Sequence, residues 1–215
     1  MSQHSLKKRV LPPALPGFNS VRRFWDPVHK KVSAKIQPGE VYVTISGELI
    51  STVLGSCISV CMYDQSRGVA GMNHFMLPRD KSNTKNTDMC SNPARYGNWA
   101  MEFLINEMLK AGARKDALEI KVFGGGQVLS EMEFMDIGQR NIDFVFSYLV
   151  QEDMKIGPKD VGGIYPRKVL FFGDNGRVKV KKIKESRDGN ITGRERDYAV
   201  NINAVPKQGD ITLFD

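Results

Sequence analysis

Cys57 and His74 are the two side chains in this sequence that can together attack a carbonyl-type carbon. A thiol becomes a strong nucleophile when a neighbouring imidazole takes its proton, and the imidazolium so formed can later protonate a leaving group. Cys57 sits in Leu54-Gly55-Ser56-Cys57-Ile58-Ser59-Val60-Cys61, directly after a Gly-Ser turn and at the mouth of an apolar run. Backbone N–H groups around Gly55 and Ser56 can point at one locus and stabilise an oxyanion, while the strand behind holds the thiol. His74 lies in Gly71-Met72-Asn73-His74-Phe75-Met76-Leu77-Pro78, a second strand-like run 17 residues after Cys57. That separation suits two adjacent strands joined by a turn over 64–68, and strand pairing then brings the imidazole beside the thiol.

Each of these residues also has a plainer explanation. A lone cysteine is most often a small buried hydrophobe, and a lone histidine is often a core residue satisfied by a backbone carbonyl. Cys61, two strand repeats from Cys57, and Cys90, in a polar stretch, allow a zinc site with Cys57 and His74, but no C-x-x-C knuckle supports it. His4 and His29 lie in the basic N-terminal stretch and are poorer partners for the thiol. Gly124-Gly125-Gly126 lacks the following Lys-Ser/Thr of a phosphate loop and reads as a tight strand exit.

The elements that must position this pair are short. Val41 to Ile45, Ile50 to Leu54 and Ile58 to Tyr63 are β-branched, apolar runs punctuated by Gly47 and Gly55, which predicts strands. Arg79 to Arg95 is polar with almost nothing to bury and predicts a long surface loop. Tyr96, Trp99, Ala100, Phe103, Leu104 and Met108 recur at helical spacing, with Gly112 as a stop. Glu119 to Phe123 predicts a strand entering the three glycines, and a second amphipathic helix is expected from near Asn141 through Leu149. Val169 to Phe172 and Val178 to Ile183 predict a hairpin across Gly173-Asp174-Asn175-Gly176, because Asn-Gly accepts positive φ in a tight turn. Strands interrupted by two helices predict a layered α/β sandwich of packed sheets, not a doubly wound fold.

Composition bounds the rest. At 215 residues and 41% hydrophobic content, the chain can bury one substantial core. The net charge is +7, but it is unevenly placed. Residues 1–40 hold eight Lys/Arg against Asp26 and Glu40, a net +6, while the remaining 23 basic and 22 acidic residues leave +1. A near-neutral body lowers the expectation of nucleic-acid binding. Pro12, Pro13, Pro16, Pro27 and Pro38 among the basic residues predict an extended arm over 1–40, ahead of a catalytic domain over 41–185 and an extension over 186–215. Phe18, Phe24 and Trp25 allow that arm to dock on the body. No apolar run is long enough for a membrane span and no secretory signal is visible, so a cytoplasmic protein with reduced thiols is expected.

The motifs Gly55-Ser56-Cys57 and Gly71 to Pro78 resemble those of the chemoreceptor glutamine deamidase family, CheD. The resemblance runs from about Val41 to Ile183 and includes Gly124-Gly125-Gly126, Ile137-Gly138-Gln139-Arg140-Asn141, Asp160-Val161-Gly162-Gly163 and Arg167-Lys168-Val169. It implies Cys57 as nucleophile, His74 as base and a hydroxyl residue as third member. The family's threonine stands six residues before the cysteine, which falls on Ser51 and leaves adjacent Thr52 as the other candidate. Gly55, Ser56 and Thr52 are the expected substrate-binding or oxyanion residues. The resemblance further implies a fold similar to glutamine-deamidating bacterial toxins and no cofactor. Its implied partners are chemoreceptor cytoplasmic domains and, in some systems, a CheC-type phosphatase. Two competing readings stand beside it: a non-catalytic binding module for receptors or such a phosphatase, and a binder of nucleic acid or anionic membrane acting through residues 1–40.

Overall fold

The structure, a computed structural model, describes residues 11–77, 92–128 and 137–183, together with 193, 196–198 and 200–201. Among the described residues, ten strands form two mixed five-stranded sheets. The first contains β1 (Arg22–Asp26), β2 (Lys31–Lys35), β4 (Leu49–Leu54), β9 (Arg167–Phe172) and β10 (Val178–Lys182), in that order. The second is ordered β3 (Val41–Thr44), β6 (Val69–Asn73), β5 (Ile58–Asp64), β7 (Glu119–Gly124) and β8 (Ile156–Val161). Helices α1 (Asn92–Lys110) and α2 (Ile137–Gln151) both pack on the second sheet, α1 over β3 and β6 and α2 over β5 and β8.

Burial follows from this layering. Every residue of β5 is buried, as expected for a strand covered on both faces. Gly71 and Asn73 face α1: a Cβ on Gly71 would meet Met108 and Leu104, and Asn73 Nδ2 donates to Ala100 O at 3.2 Å. The alternate residues Ala70, Met72 and His74 therefore face the first sheet. Tyr63 faces the same way, since its hydroxyl donates to Asp174 O in the β9–β10 turn at 3.1 Å. On the facing sheet, Ile50, Thr52 and Leu54 pair with Phe171, Val169 and Arg167, and all six are buried.

The expected sandwich with two main helices is present, with three corrections. The stretch over 1–40 is not simply an arm outside a domain beginning at Val41. Its residues 22–35 form β1 and β2, and β2 runs parallel to β4 inside the first sheet. Phe18, Val21, Ala34 and Ile36 are buried in the core. Arg23 on β1 pairs with the buried Glu48 carboxylate, whose other oxygen accepts from Tyr42 on β3 at 2.5 Å, so the basic texture hides an anchored strand. The second helix begins at Ile137, ahead of the expected Asn141. Gly138, a poor helix former, obscures that start; a Cβ there would lie 2.6 Å from Gly125 O. Pro158 similarly masks β8, an edge strand that tolerates a missing N–H. The expected loop over 79–95 and Cys90 fall mainly or wholly outside the described residues, as does most of the extension over 186–215.

Candidate active site

Strand register places Cys57 and His74 on one face. β5 and β6 pair with Cys61 opposite Met72 and Met62 opposite Gly71, and the isolated bridge Ile58–Phe75 continues the same register. Ser59 therefore stands opposite His74, and Cys57, two residues along the strand, is its diagonal neighbour. Diagonal pairs on one face of an antiparallel ladder lie about 7–8 Å apart at their Cα atoms, within reach for extended side chains. Both residues point between the sheets, where Cys57 is 0% and His74 2% exposed.

The hydroxyl that meets the His74 ring is that of Thr52. Its Oγ1 lies 2.7 Å from His74 Nδ1 and donates to Ile36 O at 2.9 Å. A hydroxyl carries one proton, and a backbone carbonyl can only accept it. With that proton directed to Ile36, the contact to His74 makes Nδ1 the donor. Nε2 is then the basic nitrogen, the tautomer a general base acting on a thiol requires. Ser51 is not in this chain of bonds. It points to the opposite face of β4, where its hydroxyl is 3.4 Å from Ala34 O. The family resemblance points to Ser51 for the third position and leaves Thr52 as the other candidate; strand alternation gives the contact to Thr52. Thr52→Val is expected to lower kcat by about 10- to 100-fold with little change in KM, whereas Ser51→Ala stays within about twofold. Steady-state kinetics on the two variants checks this, and the reverse ranking would return the role to Ser51.

The turn carrying Cys57 is held by bonds from segments distant in sequence. Gly126 N donates to Gly55 O at 2.8 Å, Asn141 Nδ2 to Ser56 O at 2.7 Å and Gly125 N to Cys57 O at 2.7 Å. Three consecutive carbonyls are thus pinned on the side of β7 and α2. In a trans peptide the N–H points opposite its carbonyl, so the N–H groups of Ser56 and Cys57 are directed away from those anchors. Such a pair is suited to an oxyanion. The three-glycine segment is more than a strand exit: a Cβ on Gly124, at φ +115°, would lie 2.2 Å from Cys57 O. Arg167, 2% exposed, fixes this approach from below, donating to Gly124 O at 2.6 Å, Asp160 O at 2.9 Å and Gly162 O.

Asn141 joins the two halves of the site. Besides holding Ser56 O, its Oδ1 accepts from Leu77 N at 2.8 Å, three residues beyond His74. Asn141→Ala leaves both backbone groups without this partner, for an expected loss of about 2 kcal/mol in stability and about tenfold in kcat. Thermal melting and turnover, measured together, check both numbers. Wild-type turnover in the variant would sink the positioning role.

Two phenols complete the surroundings. Tyr96 on α1 and Tyr198 in the C-terminal segment hydrogen-bond through their hydroxyls. Burial raises both above the ordinary tyrosine range, and the nearby Cys57 adds to the rise in each. Cys61, by contrast, is a buried thiol pushed up by desolvation, which suits a packing role. Among the described residues no cluster of three or more His, Cys, Asp or Glu side chains is placed to hold a metal ion.

Residues 76–182 match the family model described as CheD chemotactic sensory transduction. Over 206 residues the chain is 50% identical to a protein of Saccharophagus degradans named "Probable chemoreceptor glutamine deamidase CheD", covering 95% of this chain and 94% of the relative.

The chain belongs to the CheD family.

A Halorhodospira halophila CheD protein of the same name is 46% identical, with 95% of each chain covered. One from Hahella chejuensis is 44% identical over 98% of this chain and all of its own. The stretch matched by the family model begins two residues after His74, whereas the CheD relatives align over nearly the whole chain. No helix among the described residues is long and apolar enough to cross a membrane.

Proposed function

We propose that this protein deamidates glutamine side chains of chemoreceptor cytoplasmic domains, converting them to glutamate through a thioester on Cys57. The observation that carries this reading is the chain of contacts from Ile36 O through Thr52 to His74 Nδ1, which turns Nε2 toward base duty on the face that also holds Cys57. His74 takes the thiol proton as the sulfur attacks the carboxamide carbon. The resulting oxyanion is held by N–H groups of the Gly55-Ser56-Cys57 turn. His74 then gives its proton to the departing nitrogen, the C–N bond breaks and ammonia leaves. Water, deprotonated by His74, attacks the thioester; the C–S bond breaks and glutamate is released with the thiol restored.

The relatives' names favour chemoreceptors as the substrate, and the reaction adds one negative charge at each site modified. A cytoplasmic setting fits such a substrate, and a CheC-type phosphatase is a candidate second partner. The layered sandwich fits a kinship with glutamine-deamidating toxins. Mass spectrometry of receptor fragments incubated with the protein tests the proposal: each converted glutamine gains about one dalton. Tight receptor binding with no mass gain would favour the non-catalytic module instead.

A further inference from the structure

Three lysines gather on the outer face of the first sheet. Val169 and Phe171 of β9 are buried between the sheets, so the alternate residues Lys168, Leu170 and Phe172 face outward. Across the ladder, Lys181 of β10 stands opposite Lys168 and Lys179 opposite Leu170, on that same outward face. All three lysines are exposed. Like charges directly opposite each other on one face destabilise an antiparallel pair, so fold stability alone does not account for Lys168 facing Lys181. Lys179 adds a third cation, its Nζ held 5.3 Å from the centre of the Phe172 ring. Both helices pack on the second sheet, which leaves this face without a helix layer among the described residues. The far end of the face is charge-matched: Lys31 pairs with Asp174 at 2.9 Å and His29 with Asp26 at 3.0 Å. Lys182, on the other side of β10, takes Asp160, but among the described residues no ion pair forms at Lys168, Lys179 or Lys181. The position of this cluster ties it to the site. Val53 pairs with Lys168 and stands two residues before Gly55, so the lysines lie at the end of the sheet where the Cys57 turn leaves β4.

We propose that the outer face of β9 and β10, through Lys168, Lys179 and Lys181, docks a glutamate-bearing surface of the protein substrate. The proposal rests on the deamidase reading. Each converted glutamine leaves a carboxylate, so a substrate with several target sites grows acidic around those still to be converted. Cations beside the turn then hold a partly converted substrate more tightly than a fresh one, and complementary charge speeds its encounter. Phosphates of a lipid surface or a nucleic acid would also be attracted, but neither brings a carboxamide to the turn beside which the lysines stand.

The test compares full-length wild-type protein with the Lys168→Gln/Lys179→Gln/Lys181→Gln triple variant, which alters no buried side chain. Calorimetry gives the Kd for a receptor cytoplasmic fragment in which all target glutamines but one are exchanged for glutamate. Ammonia release gives turnover on that fragment and on a short uncharged glutamine peptide. At low ionic strength the triple variant is expected to bind the fragment about tenfold more weakly and to show a matching rise in KM, with kcat and peptide hydrolysis unchanged. Added salt should narrow the gap. A wild-type Kd in the triple variant overturns the proposal, and so does an equal proportional loss on the peptide, which is too small to reach the lysines. Lost binding to phosphatidylglycerol vesicles or single-stranded DNA, with the fragment Kd unchanged, overturns it in favour of a membrane or a nucleic acid. Lysine-dependent binding of the fragment with no ammonia released from fragment or peptide keeps the docking surface and removes the deamidase reading instead.

Discussion

Alanine at Cys57 is expected to reduce glutamine deamidation by about 10⁴-fold or more, and alanine at His74 by a comparable factor, because nucleophile and base act as one unit. The double variant should be scarcely worse than either single one. Both proteins should retain the wild-type melting behaviour within about 2 kcal/mol, since each change trims one side chain without opening a ladder. Cys61→Ala, by contrast, should stay active: Cys61 lies opposite Lys121 of β7, outside the Gly55-Ser56-Cys57 turn, and burial pushes its thiol up. The decisive measurement is conversion of receptor glutamine by mass spectrometry across these variants. Wild-type conversion by the Cys57→Ala protein would end the assignment outright.

The second large effect concerns the N-terminal stretch. Deleting residues 1–36 removes β1 and β2 and the buried Phe18, Val21, Ala34 and Ile36. Lost apolar burial alone amounts to about 5 kcal/mol. At about 3 °C per kcal/mol for a chain of this size, the melting temperature should fall by about 15 °C. The deletion also exposes the β4 edge and takes away the carbonyl that receives the Thr52 proton. Hydrolysis of even a small glutamine peptide should therefore collapse with stability. A truncated protein that melts and turns over like the full chain would show that this stretch is an ornament of the sheet.

The proposed thiol–imidazole pair is suggested in the sequence by two independent features. The residue types suit one chemistry, and two apolar, strand-like runs on either side of a short turn over 64–68 suit adjacent paired strands. Parity is also where legibility failed. Ser51 and Thr52 both carry hydroxyls, and only the direction of the β4 side chains, set by pairing with β9, separates the one facing His74 from the one facing away. β1 and β2 were hidden because Arg22, Arg23, Lys31 and Lys35 dominate their composition, while the features that hold them are long-range: Glu48 for Arg23, and β4 for β2. Gly124 and Gly138 read locally as a turn and a weak helix position. Their reason is close approach to backbone distant in sequence, which no window of neighbouring residues reveals.

The relay behind His74 ends on a main-chain atom, Ile36 O, and not on a carboxylate. A side chain in that place could be deleted by one codon change; a peptide carbonyl cannot. Genetic drift can therefore silence the terminal acceptor only by moving the strand that carries it, and position 36 is left answerable to shape alone. Valine there should pass unnoticed by the chemistry. Probing the oxygen itself calls for chemical synthesis of the chain, with a thioamide at residue 36, because the genetic alphabet has no letter for its removal.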